Sequence, residues 1–246
     1  MPHENNRGLP LGRRQILGIG AGLLGWAHLP GMRRLRAGED PPAGAAAPTA
    51  AQIIAGKDPR LLVHNAKSPE IETPLELLRA QRVTPKELLF VRNNQTFPGA
   101  LTLAPAAAED WRVELTGLVE FPRAITIAQL RELPQVEREV VLQCSGNGRA
   151  FVSRTAPAQG APWSRGAMGN VKFRGPLLKQ VIESLQPHVD RTARFLTAEG
   201  RDAATGEAAD FEHSVPLGDA LERALLALEM NGEPIPAVHG GPVRLV

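Results

Sequence analysis

Apolar and polar residues change their spacing several times along this chain, and each change marks an element. P-L-E-L-L-R-A-Q at 74–81 repeats its apolar positions at helical intervals, whereas L-L-F-V-R-N at 88–93 reads as a strand running into a polar turn. D-W-R-V-E-L-T-G-L-V at 110–119 alternates with period two and predicts a half-buried strand. I-T-I-A-Q-L-R-E-L-P at 125–134 predicts a short helix capped by Thr126 and stopped by Pro134. R-E-V-V-L-Q-C predicts a strand that delivers Cys144 to its end. Residues 149–170, punctuated by glycine and proline, read as a long ordered loop. Pro176 then opens a helix through Leu185, with Leu177, Leu178, Val181, Ile182 and Leu185 on one face.

R-F-L-T-A-E-G at 194–200 predicts another strand and turn, and 216–228 a second amphipathic helix. L-A-L-E-M-N-G-E-P-I at 226–235 ends in a glycine turn, and H-G-G-P-V-R-L-V at 239–246 looks like the entry to a strand. Strands and helices do not alternate regularly, so the pattern favours an α+β domain, mixed sheets with flanking short helices, over a doubly wound parallel sheet. Domains seldom stop inside a strand, so the sequence predicts a chain truncated at its C-terminus.

Charge divides the chain unevenly. The formal net charge is +2, but Met1 to Ala45 holds six arginines against three acidic residues, and the remainder is close to neutral. The folded part therefore offers no electrostatic case for nucleic acid. Arg13 and Arg14 stand directly before an apolar run from Ile16 to Ala27, a run too short and glycine-rich for a membrane anchor. This shape, a charged start before an apolar stretch, resembles a twin-arginine export signal and predicts a periplasmic protein. The organisation expected is a signal segment over 1–37, an Ala/Pro/Gly linker over 38–51 and one folded domain over 52–246.

Candidate chemistry centres on the single cysteine. Cys144 leaves an apolar strand and is followed by S-G-N-G-R, so glycines permit close backbone approach and Arg149 places a cation nearby. Both features favour a thiolate. The readings open to it are inert packing, a nucleophile, an intermolecular disulfide or a metal ligand. A nucleophile needs an oriented base, and His64, His188, His213 and His239 are present without a spacing that selects one. No zinc-type ligand spacing exists, but a soft thiolate can be the only protein ligand when a cofactor brings the others.

Four motifs resemble the sulfite oxidase family of molybdopterin enzymes. They are F-V-R-N-N at 90–94, L-Q-C-S-G-N-G-R at 142–149, P-W-S-R-G-A-M-G-N-V-K-F-R-G-P-L-L at 162–178 and L-E-M-N-G-E-P-I-P-A-V-H-G-G-P-V-R at 228–244. They stand in the family's order and cover about 52–246. The resemblance implies a sulfite-oxidase-type molybdopterin-binding domain in which Cys144 binds molybdenum. It implies a cationic pocket for sulfite formed by Arg92 and Arg149, lined by Trp163. It implies cofactor contacts from Phe90, Arg92, Asn93, Asn94, Asp202, His239 and Arg244.

The same resemblance implies oxygen-atom transfer to sulfite, with electrons passed to an external acceptor such as cytochrome c. The truncation expected at Val246 would remove the family's C-terminal immunoglobulin-like domain, and a homodimer is expected only if that domain exists. Three departures stand out. Phe211, near His213, falls where the family has a tyrosine; Asn94 replaces a frequent histidine; and the chain ends just after P-V-R. A sulfoxide reductase of the same superfamily and a non-catalytic cofactor-binding fragment are the alternative readings.

Overall fold

The computed structural model describes residues 49–93, 108–200 and 212–246, together with the backbone of Leu17–Ile19. Its central feature is an antiparallel hairpin in which Gln135–Gln143 pairs with Met168–Pro176, from Gln135 opposite Pro176 to Gln143 opposite Met168. Period-two patterning explains this strand pair. Val171 and Phe173 point into the core while Lys172 and Arg174 point away from it, and Val136, Val140 and Leu142 pack beside them. Glu229–Met230 pairs with Met168–Pro176, and Glu233–Pro234 completes a four-stranded sheet.

A second sheet has five strands in the order Glu212–Pro216, Phe195–Glu199, Leu17–Ile19, Arg112–Gly117 and Arg123–Thr126. The helices Ile127–Glu132, Leu178–Leu185 and Leu217–Arg223 accompany it, and Leu115, Ile125, Ile127, Leu130, Leu178, Val181 and Leu196 share one core. Thr126 caps its helix as expected, its hydroxyl accepting from the Gln129 amide while the Gln129 side chain accepts from the Thr126 amide. A third sheet joins Leu62–Asn65, Glu70–Glu72 and Val91–Arg92, and a small ladder pairs Leu226–Ala227 with Arg244–Leu245. The mixture is α+β, as the pattern predicts.

Several boundaries differ from expectation. Residues 168–176, of which 168–170 read as the end of a loop and Pro176 as the start of a helix, form the second strand of the hairpin. Gly169 and Gly175 interrupt the apolar alternation there and hide its period. Pro176 is the last rung, so the helix starts at Leu178. The expected loop also contains a helical turn at Arg149–Val152. Only Val91–Arg92 of the stretch 88–93 is strand, because Leu88 and Leu89 turn back onto the Pro85 carbonyl. The helix expected over 216–228 stops at Arg223, and Leu226–Ala227 pairs with the C-terminal strand. The first described helix, Ala50–Ala55, begins inside the expected linker because Thr49 and Gln52 form a capping box. The remaining leader and linker residues lie outside the described ones, apart from the Leu17–Ile19 backbone.

Candidate active site

Cys144 sits at the end of the hairpin and is half-buried against the second apolar core, which contains Leu89, Phe90, Trp163, Val171 and Phe173. Its amide donates to the Ala167 carbonyl at 2.9 Å, and its own carbonyl accepts from the Asn147 amide at 2.9 Å. Asn147 ties the loop shut from the inside: its Oδ1 accepts from the Ala167 amide at 3.1 Å, and its Nδ2 donates to the Arg165 carbonyl at 3.3 Å. The thiol is therefore mounted on a fixed loop rather than a free one.

Arg149 explains two of the glycines. Its Nη1 donates to the Ala161 carbonyl at 2.7 Å, a neutral partner that leaves the guanidinium charge uncancelled. A Cβ at Gly146 would stand 2.2 Å from its Nη2, and one at Gly160 would stand 2.9 Å from its Nη1. A side chain at either position would have to push the guanidinium out of its present place. Arg92 differs, since its Nη1 lies 3.0 Å from Glu70 Oε1, its partner across the sheet.

Trp163 is fully buried, and its Nε1 is a donor without a hydrogen-bond partner among the described residues. His64 and Phe90 meet the ring edge-on, with centroids 5.4 Å and 6.5 Å away. The residue after Trp163 is anchored by a buried carboxylate that sequence reasoning missed. Glu72 accepts from the Ser164 amide at 3.0 Å, the Ser164 hydroxyl, the Gly166 amide at 2.7 Å and His64 Nε2 at 2.7 Å. Burial raises its pKa, but the Ser164, Gly166 and His64 donors outweigh that and hold the carboxyl below its ordinary value. A carboxylate only accepts, so His64 carries its proton on Nε2.

The motif at 228–244 brings a second cationic group to F-V-R-N-N. Asn93 Nδ2 donates to the Val238 carbonyl at 3.3 Å, and Asn93 Oδ1 is buried without a partner. Arg244 Nη1 donates to the His239 carbonyl at 2.8 Å, and its guanidinium lies 5.7 Å from the Phe173 ring centroid. His239 is buried, with Lys57 Nζ 2.9 Å from its Nε2. Burial, then the charges of Lys57 and Arg244, push the His239 pKa far below its ordinary value, and burial lowers Arg244 as well. Lys57 is a second missed residue. It lies 182 positions before His239, so no local pattern announces it. Asn94, Asp202 and Phe211 lie outside the described residues.

The structure thus joins the four motifs: Phe90 meets Trp163, the Trp163 carbonyl accepts from the Ala150 amide beside Arg149, and Asn93 bonds Val238 next to His239. With this geometry in hand, comparison with known proteins is decisive. The family described as oxidoreductase molybdopterin binding domain matches residues 100–246. The chain belongs to that family. It is 35% identical over 224 residues to sulfite oxidase of Gallus gallus, covering 87% of this chain and 47% of the relative. It is 33% identical over 192 residues to sulfite oxidase of Arabidopsis thaliana, covering 74% and 48%. Among solved structures, the sulfane dehydrogenase SoxCD from Paracoccus pantotrophus matches with a TM-score of 0.59 and 27% identity over 77% of this chain and 45% of that one. The chain spans about half the length of these relatives.

The residues present fit the family's molybdenum–molybdopterin cofactor. Two buried polar atoms, Trp163 Nε1 and Asn93 Oδ1, have no hydrogen-bond partner among the described residues. Among the described residues no group of three or more His, Cys, Asp or Glu is placed to hold a metal ion by itself. A cofactor that carries its own ligands suits a site whose soft donor is one thiol, Cys144.

Proposed function

We propose that this chain is the cofactor-bearing part of an exported sulfite dehydrogenase. The observation that carries the reading is Arg149: a guanidinium held on a neutral carbonyl between two glycines, five residues after the thiol. When bound, the molybdenum–molybdopterin group supplies oxygen-atom transfer and a two-electron reservoir. Cys144 holds the metal. Arg149 and Arg92 draw in and orient an anionic sulfur substrate, because guanidinium forks match oxyanions by paired hydrogen bonds. Glu70 moderates Arg92, leaving Arg149 as the stronger anion-binding charge. Trp163, buried against His64 and Phe90, supplies a rigid lining. Phe90, Asn93, Asn94, Asp202, His239 and Arg244 hold the pterin and its phosphate. The electrons leave to an external acceptor such as cytochrome c, and Arg13–Arg14 direct the chain to the periplasm.

The two arginines assigned to substrate, Arg92 and Arg149, favour an anion such as sulfite over a neutral sulfoxide. The test is sulfite-dependent reduction of cytochrome c by the cofactor-loaded full chain, run beside nitrate and methyl sulfoxide as rival substrates. Sulfite turnover that vanishes in Cys144→Ser is the expected result. Sulfite oxidation by Cys144→Ser at the wild-type rate overturns the reading, as does turnover of the rival substrates alone.

A further inference from the structure

Lys57 follows the helix Ala50–Ala55, and its ammonium is enclosed by three acceptors. Nζ lies 2.5 Å from the Lys86 carbonyl oxygen, 3.1 Å from the Leu89 carbonyl oxygen and 2.9 Å from His239 Nε2. An ammonium has three N–H donors and no lone pair. Two of those protons go to carbonyl oxygens, which can only accept. The third faces the imidazole, and an ammonium cannot accept in return. Nε2 of His239 must therefore be the bare nitrogen, and Nδ1 carries the ring proton. An imidazolium here would set N–H against N–H and add a buried charge beside Lys57 and Arg244. The charge state agrees with the geometry. Burial lowers Lys57 to about 8, so it remains an ammonium at neutral pH, while burial, Lys57 and Arg244 outweigh the opposing pull of the Lys86 carbonyl and hold His239 well below its ordinary value.

Two further contacts fix the backbone around this ring. Arg244 Nη1 donates to the His239 carbonyl at 2.8 Å, and Asn93 Nδ2 donates to the Val238 carbonyl at 3.3 Å. We propose that Lys57 is a positioning residue that locks His239 as the neutral Nδ1–H tautomer, so that this imidazole meets molybdopterin as a hydrogen-bond donor. Lys57 spends all its protons inside the protein and is not itself a ligand. It acts on the cofactor through His239, in the way that outer partners fix the tautomer of a ligating histidine. The last step rests on the cofactor reading above; the tautomer is a property of the chain alone.

The experiment is nitrogen NMR on the full chain carrying ¹⁵N-labelled histidine, with His239→Gln identifying the resonances. In the wild type at neutral pH, with or without cofactor, Nε2 of His239 is expected in the unprotonated range and Nδ1 in the protonated range. In Lys57→Met, which keeps the length but has no N–H, the two tautomers should exchange, the ring should titrate closer to neutrality, and molybdenum retained on purification should fall about tenfold or more. A wild-type His239 that is protonated on Nε2 overturns the proposal, and the wild type decides this even if the variant does not fold. A Lys57→Met spectrum identical to wild type also overturns it. Unchanged molybdenum content despite lost tautomer order overturns the link to the cofactor. Failure of sulfite turnover leaves the spectrum untouched, so the two readings fail separately.

Discussion

Arg149 occupies space that only glycine at 146 and 160 leaves open to it. Gly146 lies outside the left-handed region, so alanine there strains no backbone; its Cβ would simply collide with the guanidinium, 2.2 Å from Nη2. Gly160 has φ of +102° and would confuse steric and backbone effects. Gly146→Ala is therefore the cleaner probe. It should displace Arg149 and remove a charge-assisted contact of about 1.5–3 kcal/mol, raising KM for sulfite about tenfold or more. Steady-state sulfite kinetics check it, and an unchanged KM in a folded variant would dissociate Arg149 from substrate binding. The run S-G-N-G was legible in the sequence as a place where side chains are unwelcome. What those glycines make room for was half legible: Arg149 is close in sequence, but Gly160 and the Ala161 carbonyl belong to a loop whose path no local pattern gives.

At the scale of elements, the three-residue strand Glu70–Glu72 presents two carboxylates on one face, Glu70 to Arg92 and Glu72 to the loop that follows Trp163. Glu72→Gln places an amide N–H₂ among N–H and O–H donors, and losing this buried acceptor should cost about 3 kcal/mol in urea unfolding at pH 7. The pH dependence follows in sign. Because the folded carboxyl lies below its ordinary value of 4.5, its contribution is complete above that value and drains away as pH falls through the folded one. The gap between wild type and Glu72→Gln should accordingly narrow in acid. Thr126→Ala is the counterpart on the far side of the fold. It removes a helix cap worth about 1 kcal/mol and should leave sulfite kinetics unchanged. The Thr126 cap could be read from the sequence because its partner is three residues away. The Glu72 anchor could not, since its acceptors' partners lie 92 and 94 residues downstream. The strand Met168–Pro176 escaped for another reason: glycines at 169 and 175 sit where the buried face expects large apolar residues.

For the molecule as a whole, the order of the four motifs made the family and the thiol legible, while the contacts that weld the motifs together were not, being long-range. Lys57 is the clearest case, and it should leave a trace in global stability. Its folded pKa of about 8 lies below the ordinary 10.5, so between these values the unfolded chain holds a proton that the folded chain has released. Stability must rise with pH through that window, relieving about 3 kcal/mol of cost for burying the charge. Urea unfolding at pH 7.5 and 9.5 should show about 2 kcal/mol of this gain in wild type and not in Lys57→Met. The chain contains no tyrosine, so no phenol titrates in the same range. The hairpin has a last consequence, for ancestry rather than energy. Because Cys144 and Ala167 are fastened to each other at the ladder's end, the stretch between them is a closed excursion whose two feet stay put. Lineages that keep Asn147 and its contacts can lengthen, shorten or redecorate the rest of that excursion without moving the strand ends that carry the thiol. One pair of strand ends can thus be handed to different ligands by changing only what is written between its feet.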